Sequence, residues 1–297
     1  MKAFSESIGY SIDEETLRNI DLHFHRSFVS LPEMAVLIAS YTVKQTFTRQ
    51  ARPPSKIKNN IRFFFHNVFD SNEPPYVRVS AAALTQPTIF RAGTRINIVL
   101  VIIDPDYLRT FLKADADRFS FLSGNYQPFL IEEILTDDIL QTVNAFLRQP
   151  QPDILTDYHY KLKALELLYH LFRRLSYREA VKYRKLSQHD LNAVYAVRDA
   201  IVNTLSEPPA MNHLRQLAGM NEVKLRALFK QVFGTGIYEY FQQRRIQEAA
   251  RLLREGERSV SEVGYALGFE NLSHFTRQFE KYIGMKPKRY SMVAGEV

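Results

Sequence analysis

The chain has 297 residues, room for two domains of ordinary size, and its 45% hydrophobic and 12% aromatic content excludes a disordered chain. No apolar run approaches the roughly 18 residues of a membrane span, and the opening MKAFSESIGYSIDEET lacks the apolar stretch of a secretory signal. Cysteine is absent, which excludes disulfides, thiolate metal sites and thiol catalysis and fits a cytoplasmic protein; the net charge of +7 suits a polyanionic partner without proving one.

Up to about Ser30 the residues are polar and mixed. His23 and His25 form an H-x-H pair, but no clear third ligand follows, so strand or loop residues are expected and no metal. From Met34 to Val101 the pattern turns to short strands. Ala35–Thr46 is rich in β-branched residues, and IRFFFHNVF (61–69), YVRVSA (76–81) and RINIVLVII (95–103) follow. Turn-forming clusters separate them at Arg52-Pro53-Pro54-Ser55, Asp70–Pro75 and Ala92-Gly93-Thr94. Regularly spaced strands with turns predict a small antiparallel barrel or sandwich. Phe63, Phe65 and Phe90 are candidate ligand-pocket residues, with plain core packing as the alternative. Asp104-Pro105 predicts a helix start, Asp as N-cap and Pro at the first helical position.

Phe129–Leu147 and Tyr158–Leu175 are predicted as longer helices. In the second, Leu165, Leu168, Phe172 and Leu175 form a seam that suits either a dimer interface or packing on the barrel. Arg173-Arg174, Arg178, Lys182 and Arg184-Lys185 follow. A solvated basic face explains them by default, and phosphate contact is the sharper alternative.

Leu191–Leu205 is apolar at helical intervals and is broken by Glu207-Pro208-Pro209. Met211–Ala218 is a short helix ending at Gly219. Asn221 caps a second, Glu222–Phe233, whose outward set is Val223, Lys224, Arg226, Ala227 and Lys230. Ile237–Arg254 is a long helix. Then Val260, Val263 and Leu267 recur at helical spacing, Gly268 ends the run, and Asn271 caps a helix with Phe275 and Phe279 inward. Its outward set is Ser273, His274, Thr276, Arg277 and Lys281, a mixture able to reach base edges and phosphates. Leu214, Gly219, Leu225, Phe229, Gly234 and Tyr240 align with Val263, Gly268, Phe275, Phe279, Gly284 and Tyr290, an internal repeat at an offset of about 50 residues. Two helix-turn-helix units can read two successive turns of the major groove of double-stranded DNA. The expected DNA-binding set is Val223, Lys224, Arg226, Lys230, Asn271, Ser273, His274, Thr276, Arg277 and Lys281.

These residues resemble the DNA-binding domain of AraC/XylS-type transcription regulators. The carrying motifs are Leu225-x-x-x-Phe229-Lys230, Tyr240-x-x-x-x-Arg245-x-x-x-Ala249-x-x-Leu252-Leu253, Val263-Gly264-Tyr265-Ala266-Leu267-Gly268-Phe269, Ser273-x-Phe275-x-Arg277-x-Phe279 and Gly284-x-x-Pro287-x-x-Tyr290. The resemblance covers roughly the last third of the chain. It implies an α+β chain: an N-terminal small antiparallel, cupin-like β-barrel with helices, then an all-α domain with two helix-turn-helix units. The expected boundaries are 1–180 for an effector-binding and dimerisation domain, 181–190 for a linker and 191–297 for the DNA-binding domain. It implies a sequence-specific transcription regulator, an activator answering a signal on its N-terminal domain; the alternative is an effector-independent dimer controlled by abundance. Expected partners are double-stranded DNA, RNA polymerase, a small-molecule effector and a second copy, with no membrane and no cofactor. No enzyme is expected, because the family's catalytic relatives depend on cysteine. The resemblance makes Arg245 structural. The two units differ: Ala227 stands opposite Arg277, Arg215 opposite Gly264, and Glu280 replaces a common lysine, so unit two is expected to supply most sequence discrimination.

Overall fold

The computed structural model describes residues 14–29, 34–49, 60–69, 75–81, 88–122, 128–147, 154–178 and 185–294. The expected turn at 52–55, most of that at 70–75, and the basic positions Lys182 and Arg184 lie outside the described residues. The chain divides into two compact units, Met1–Gln188 and His189–Val297.

Unit one carries α1 (Glu14–Arg18), then β1 (Ile20–Val29), β2 (Met34–Val43), β3 (Phe47–Arg49), β4 (Ile61–Phe69), β5 (Tyr76–Ala81), β6 (Thr88–Phe90) and β7 (Arg95–Ile103). α2 (Pro105–Leu112), β8 (Leu130–Ile134), α3 (Asp137–Ala145) and α4 (Thr156–Leu175) follow. Six strands pair antiparallel in the order β1-β2-β7-β4-β5-β8, and β3 pairs with β6 in a small separate sheet. β2 and β7 lie inside the large sheet with both faces covered, which is why they read as continuous apolar runs rather than as alternation. One face holds Val36, Ile38, Phe63, Phe65, Val77, Val99 and Val101 against Ile139, Val143, Leu168, Leu171 and Phe172 of the helices. The other holds Leu37, Tyr41, Ile96, Ile98 and Leu100 against Phe47 and Phe90 of the small sheet. Burial on two faces is the main stabilising term for this unit, at roughly 25 cal/mol per Å² of apolar surface.

The α2 start is as expected: the Asp104 carboxylate accepts hydrogen bonds from the backbone N–H groups of Asp106 and Tyr107, and Pro105 opens the helix. Three expectations need correction. Among the described strand pairs β1 and β8 are not joined, so these six strands do not close as a barrel. Phe129–Leu147 is not one helix. Its first part is edge strand β8, because Glu132 pairs with Arg78 on β5 at 3.1 Å while Glu133 bonds Arg174 and Arg178 at the end of α4. Those partners give each carboxylate a place on opposite strand faces, and this overrides the helical reading of the segment. β1 was expected only as polar, mixed residues, although Leu22 and Phe24 already alternate with polar neighbours.

Leu168, Phe172 and Leu175 of the α4 seam are buried in the core of their own unit. The basic residues at its end also have local partners: Arg173 bonds Asp138 at 2.5 Å, and Arg174 and Arg178 bond Glu133. His23 Nε2 shares a hydrogen bond of 2.7 Å with Thr42 Oγ1, and among the described residues no three His, Asp or Glu gather as metal ligands. Phe63 and Phe65 lie on the helix-covered face of the sheet and Phe90 on the other, so the three aromatics do not line one cavity.

Candidate nucleic-acid interface

Unit two is helical among its described residues: α5 (Gln188–Asn203), α6 (Met211–Ala218), α7 (Glu222–Phe233), α8 (Ile237–Glu255), α9 (Val260–Ala266), α10 (Leu272–Ile283) and α11 (Pro287–Ala294). The repeat read in the sequence appears as two short-helix, turn, capped-helix units, α6–α7 and α9–α10. The Asn221 side chain accepts from the Lys224 N–H, and the Asn271 side chain from those of Ser273 and His274. Each carbonyl oxygen thus takes up orphan donors at the start of a reading helix and fixes where it begins. Ser259 and Glu262 form a reciprocal capping box that starts α9.

The glycine in the second turn has a further reason. Gly268 adopts φ +74°, and a Cβ there would sit 1.8 Å from the carbonyl oxygen of Ser206. The turn between α9 and α10 therefore rests directly on the loop leading into α6. Arg245, at the middle of α8, completes that junction. Its Nε–H donates to the Leu267 carbonyl at 2.5 Å, and its guanidinium lies 3.7 Å from the Phe269 ring centre and 5.3 Å from that of Phe241. Burial lowers its pKa from the ordinary arginine value, and the carbonyl and the two ring faces compensate the charge. Arg245 thus holds one unit's connector to the other unit's turn, the structural role the resemblance implied.

Inward, Leu214, Leu225 and Phe229 are buried in the first unit, and Val263, Phe269, Phe275 and Phe279 pack with Ile246, Ala249 and Leu253 in the second. That packing leaves the predicted residues on the outer faces. Val223 is 74% exposed; Arg226, Ser273, His274, Arg277 and Lys281 are exposed, and Lys224, Lys230 and Thr276 are half-buried. Arg215 is exposed, so the long cation opposite Gly264 leaves to solvent without disturbing the packing. Asn271 is exposed, but its carbonyl oxygen is engaged in capping α10.

The two reading helices differ electrostatically. Lys224 Nζ lies 2.7 Å from Asp190 of α5, and Arg226 Nε donates to Glu222 one turn earlier at 2.8 Å. On α10, Arg277 has no ion-pair partner among the described residues, and the Lys281 ammonium lies 5.1 Å from the Tyr282 ring. The Glu222–Arg226 pair was legible as an i, i+4 spacing, whereas nothing local in the sequence points from Lys224 to Asp190.

Residues 214–292 match the family described as Helix-turn-helix domain. Unit two is thus similar to the helix-turn-helix domains of AraC/XylS-type regulators. Regulatory protein PchR of Pseudomonas aeruginosa is 36% identical over 80 residues, 27% of each chain. The uncharacterized HTH-type transcriptional regulator YobQ of Bacillus subtilis is 34% identical over 106 residues, 36% of this chain and 42% of the relative. A crystal structure of a probable AraC family transcriptional regulator from Rhodopseudomonas palustris shows 28% identity, covers 35% of this chain and 97% of that one, and gives a TM-score of 0.33. The chain spans about a quarter of the length of the first curated relatives it matches, 27% of PchR and 29% of the regulator GlxA of Rhizobium meliloti. Those relatives are named as regulators, and the matched family is described as a helix-turn-helix domain.

Proposed function

We propose that this protein is a sequence-specific DNA-binding transcription regulator of AraC type in which the second helix-turn-helix, α9–α10, supplies most base discrimination. The observation that carries this is the unequal charge of two otherwise matched reading helices: Arg277 stands outward without an ion pair among the described residues, while Lys224 and Arg226 are both paired within the protein. A free guanidinium on a helix in the major groove fits guanine O6 and N7 with two parallel hydrogen bonds. Ser273, His274, Thr276 and Lys281 surround it, with Val223 and Lys230 as the main outward residues of the first unit. α8 is the spacer, holding the two helices about 34 Å apart, one turn of DNA. The test is footprinting of the full chain upstream of its own and neighbouring genes, at stated salt, beside Arg277→Ala. A loss of about 1–3 kcal/mol with relaxed preference at one base pair is expected. A uniform loss on all sequences with a shallower salt dependence would assign Arg277 to phosphate instead.

Regulation through the N-terminal unit is the second part of the reading, with activation through RNA polymerase in the cytoplasm as the output. His66 favours a signal-taking role over control by abundance alone. It is 2% exposed, ringed by Phe64, Tyr76 and Phe90 at 5.0–6.0 Å, and among the described residues neither ring nitrogen has a hydrogen-bond partner. An unsatisfied buried polar group costs about 1–3 kcal/mol, and a ligand that bonds it would be taken up with that gain. A second copy of the chain would use the outer face of α4. Tyr158, Leu162 and Tyr169 are 50–59% exposed along one helical stripe, whereas the Leu168–Phe172–Leu175 seam is already buried. Sedimentation of the wild type and Leu162→Glu tests this face; an unchanged oligomeric state would exclude it.

A further inference from the structure

We infer that Asp190 sets how much the first reading helix contributes to DNA affinity, by holding Lys224 in an internal ion pair; this rests on the DNA-binding reading above. Asp190 sits in the first turn of α5 and is 9% exposed. Its Oδ1 lies 2.7 Å from Lys224 Nζ, and Lys224 occupies the first turn of α7, the end of a reading helix that meets base edges and phosphates.

Two consequences follow from the charges. A lysine that neutralises a phosphate releases condensed counterions, and that release drives binding. A lysine already neutralised by a carboxylate must give up that partner first. Because Asp190 is buried, withdrawing the lysine would leave a poorly solvated carboxylate behind, which opposes the exchange more than at an exposed surface pair. The repeat supplies the contrast. The position equivalent to Lys224 in the second unit is His274, which faces Gln278 at 3.4 Å and the Phe269 ring at 6.0 Å, with no carboxylate partner among the described residues. The Glu222–Arg226 pair acts in the same direction within α7. The first helix therefore docks chiefly through shape and its exposed Val223, and the salt dependence of binding comes mainly from the second unit.

The experiment measures affinity of the full chain for one footprinted site between 50 and 200 mM salt, for the wild type, Lys224→Gln, Asp190→Asn and the double variant. Lys224→Gln alone is expected to leave the log–log salt slope at the wild-type value. Asp190→Asn is expected to steepen it by about 0.9, an additional loss of about threefold across that range. Lys224→Gln in the Asp190→Asn background is expected to restore the original slope. A slope about 0.9 shallower for Lys224→Gln alone would show the lysine already on a phosphate and overturn the inference. It would likewise be overturned if Asp190→Asn left the slope unchanged, or steepened it equally with and without Lys224. The single lysine variant changes a half-exposed side chain, so it decides the question even if Asp190→Asn fails to fold. A wild type that binds no DNA at any salt would instead remove the regulator reading itself, and this inference with it.

Discussion

Replacing Gly268 by alanine should damage the DNA-binding unit more than any other alanine at its left-handed glycines, and Gly284 supplies the control. Both adopt positive φ, +74° and +84°, so an alanine at either carries the left-handed strain of about 1 kcal/mol. At Gly284 a Cβ would meet nothing within 4 Å. At Gly268 it would meet backbone: 1.8 Å to the Ser206 carbonyl oxygen and 2.8 Å to its carbon, with Arg245 Nη2 at 3.2 Å. Backbone cannot rotate away as a side-chain tip does, so the loop before α6 must shift, and the Arg245 bond to the Leu267 carbonyl shifts with it. Overpacking of this kind costs about 1–3 kcal/mol, giving a total of about 2–4 kcal/mol against about 1 for Gly284→Ala. Native-state hydrogen exchange of the full chain, read on the amides of α8 and α10, reports the loss where it occurs. Equal losses for the two alanines would refute the argument that Ser206 and the second turn are in direct contact.

The remaining predictions concern buried charge. Desolvation first, and then the neighbouring Arg78, lower the His66 pKa to about 3, with Glu132 opposing. The unfolded chain takes up a proton on this residue near pH 6.5 and the folded one does not. Its contribution is therefore fully present above about pH 6.5 and lost as the pH falls towards 3, by about 1 kcal/mol between pH 7 and 5.5. Denaturation of the wild type against His66→Phe should show that pH slope only in the wild type, and parallel profiles would exclude the assignment. Arg245→Lys keeps the charge but loses the flat stack on Phe269 and the Nε–H bond to Leu267. It should cost about 2 kcal/mol of unit-two stability and weaken binding to all sequences alike. A changed base preference at unaltered stability would mean that Arg245 reads DNA.

Much of unit two is legible in the sequence because its signals are local. Asn221 and Asn271 at helix starts, Gly219 and Gly268 at turns, and the alternation of Phe275 and Phe279 with polar neighbours each act within one or two helical turns. The repeat then doubled every signal. Unit one was less legible. The strands β2, β4, β5 and β7 and the Asp104 cap are readable, but LIEEI reads as helix because the partners that make it a strand are Arg78, Arg174 and Arg178, 41 to 54 residues away. The outward set of the reading helices was likewise readable, and the pairing that separates Lys224 from Arg277 was not.

The sequence by itself determined where helices start and stop in the C-terminal unit, that there are two such units, and which side chains face outward. Those properties follow from capping, glycine φ preference and 3.6-residue periodicity, which depend on near neighbours. Only the tertiary structure decided which faces of the sheet hold Phe63 and Phe90, that the α4 seam lies inside its own core, that Gly268 touches Ser206, and that Asp190 neutralises Lys224. Each is a meeting of residues far apart in the chain, Asp190 with Lys224 across 34 positions and Ser206 with Gly268 across 62. Such meetings are chosen by how whole elements pack, and no local rule of chain conformation contains them.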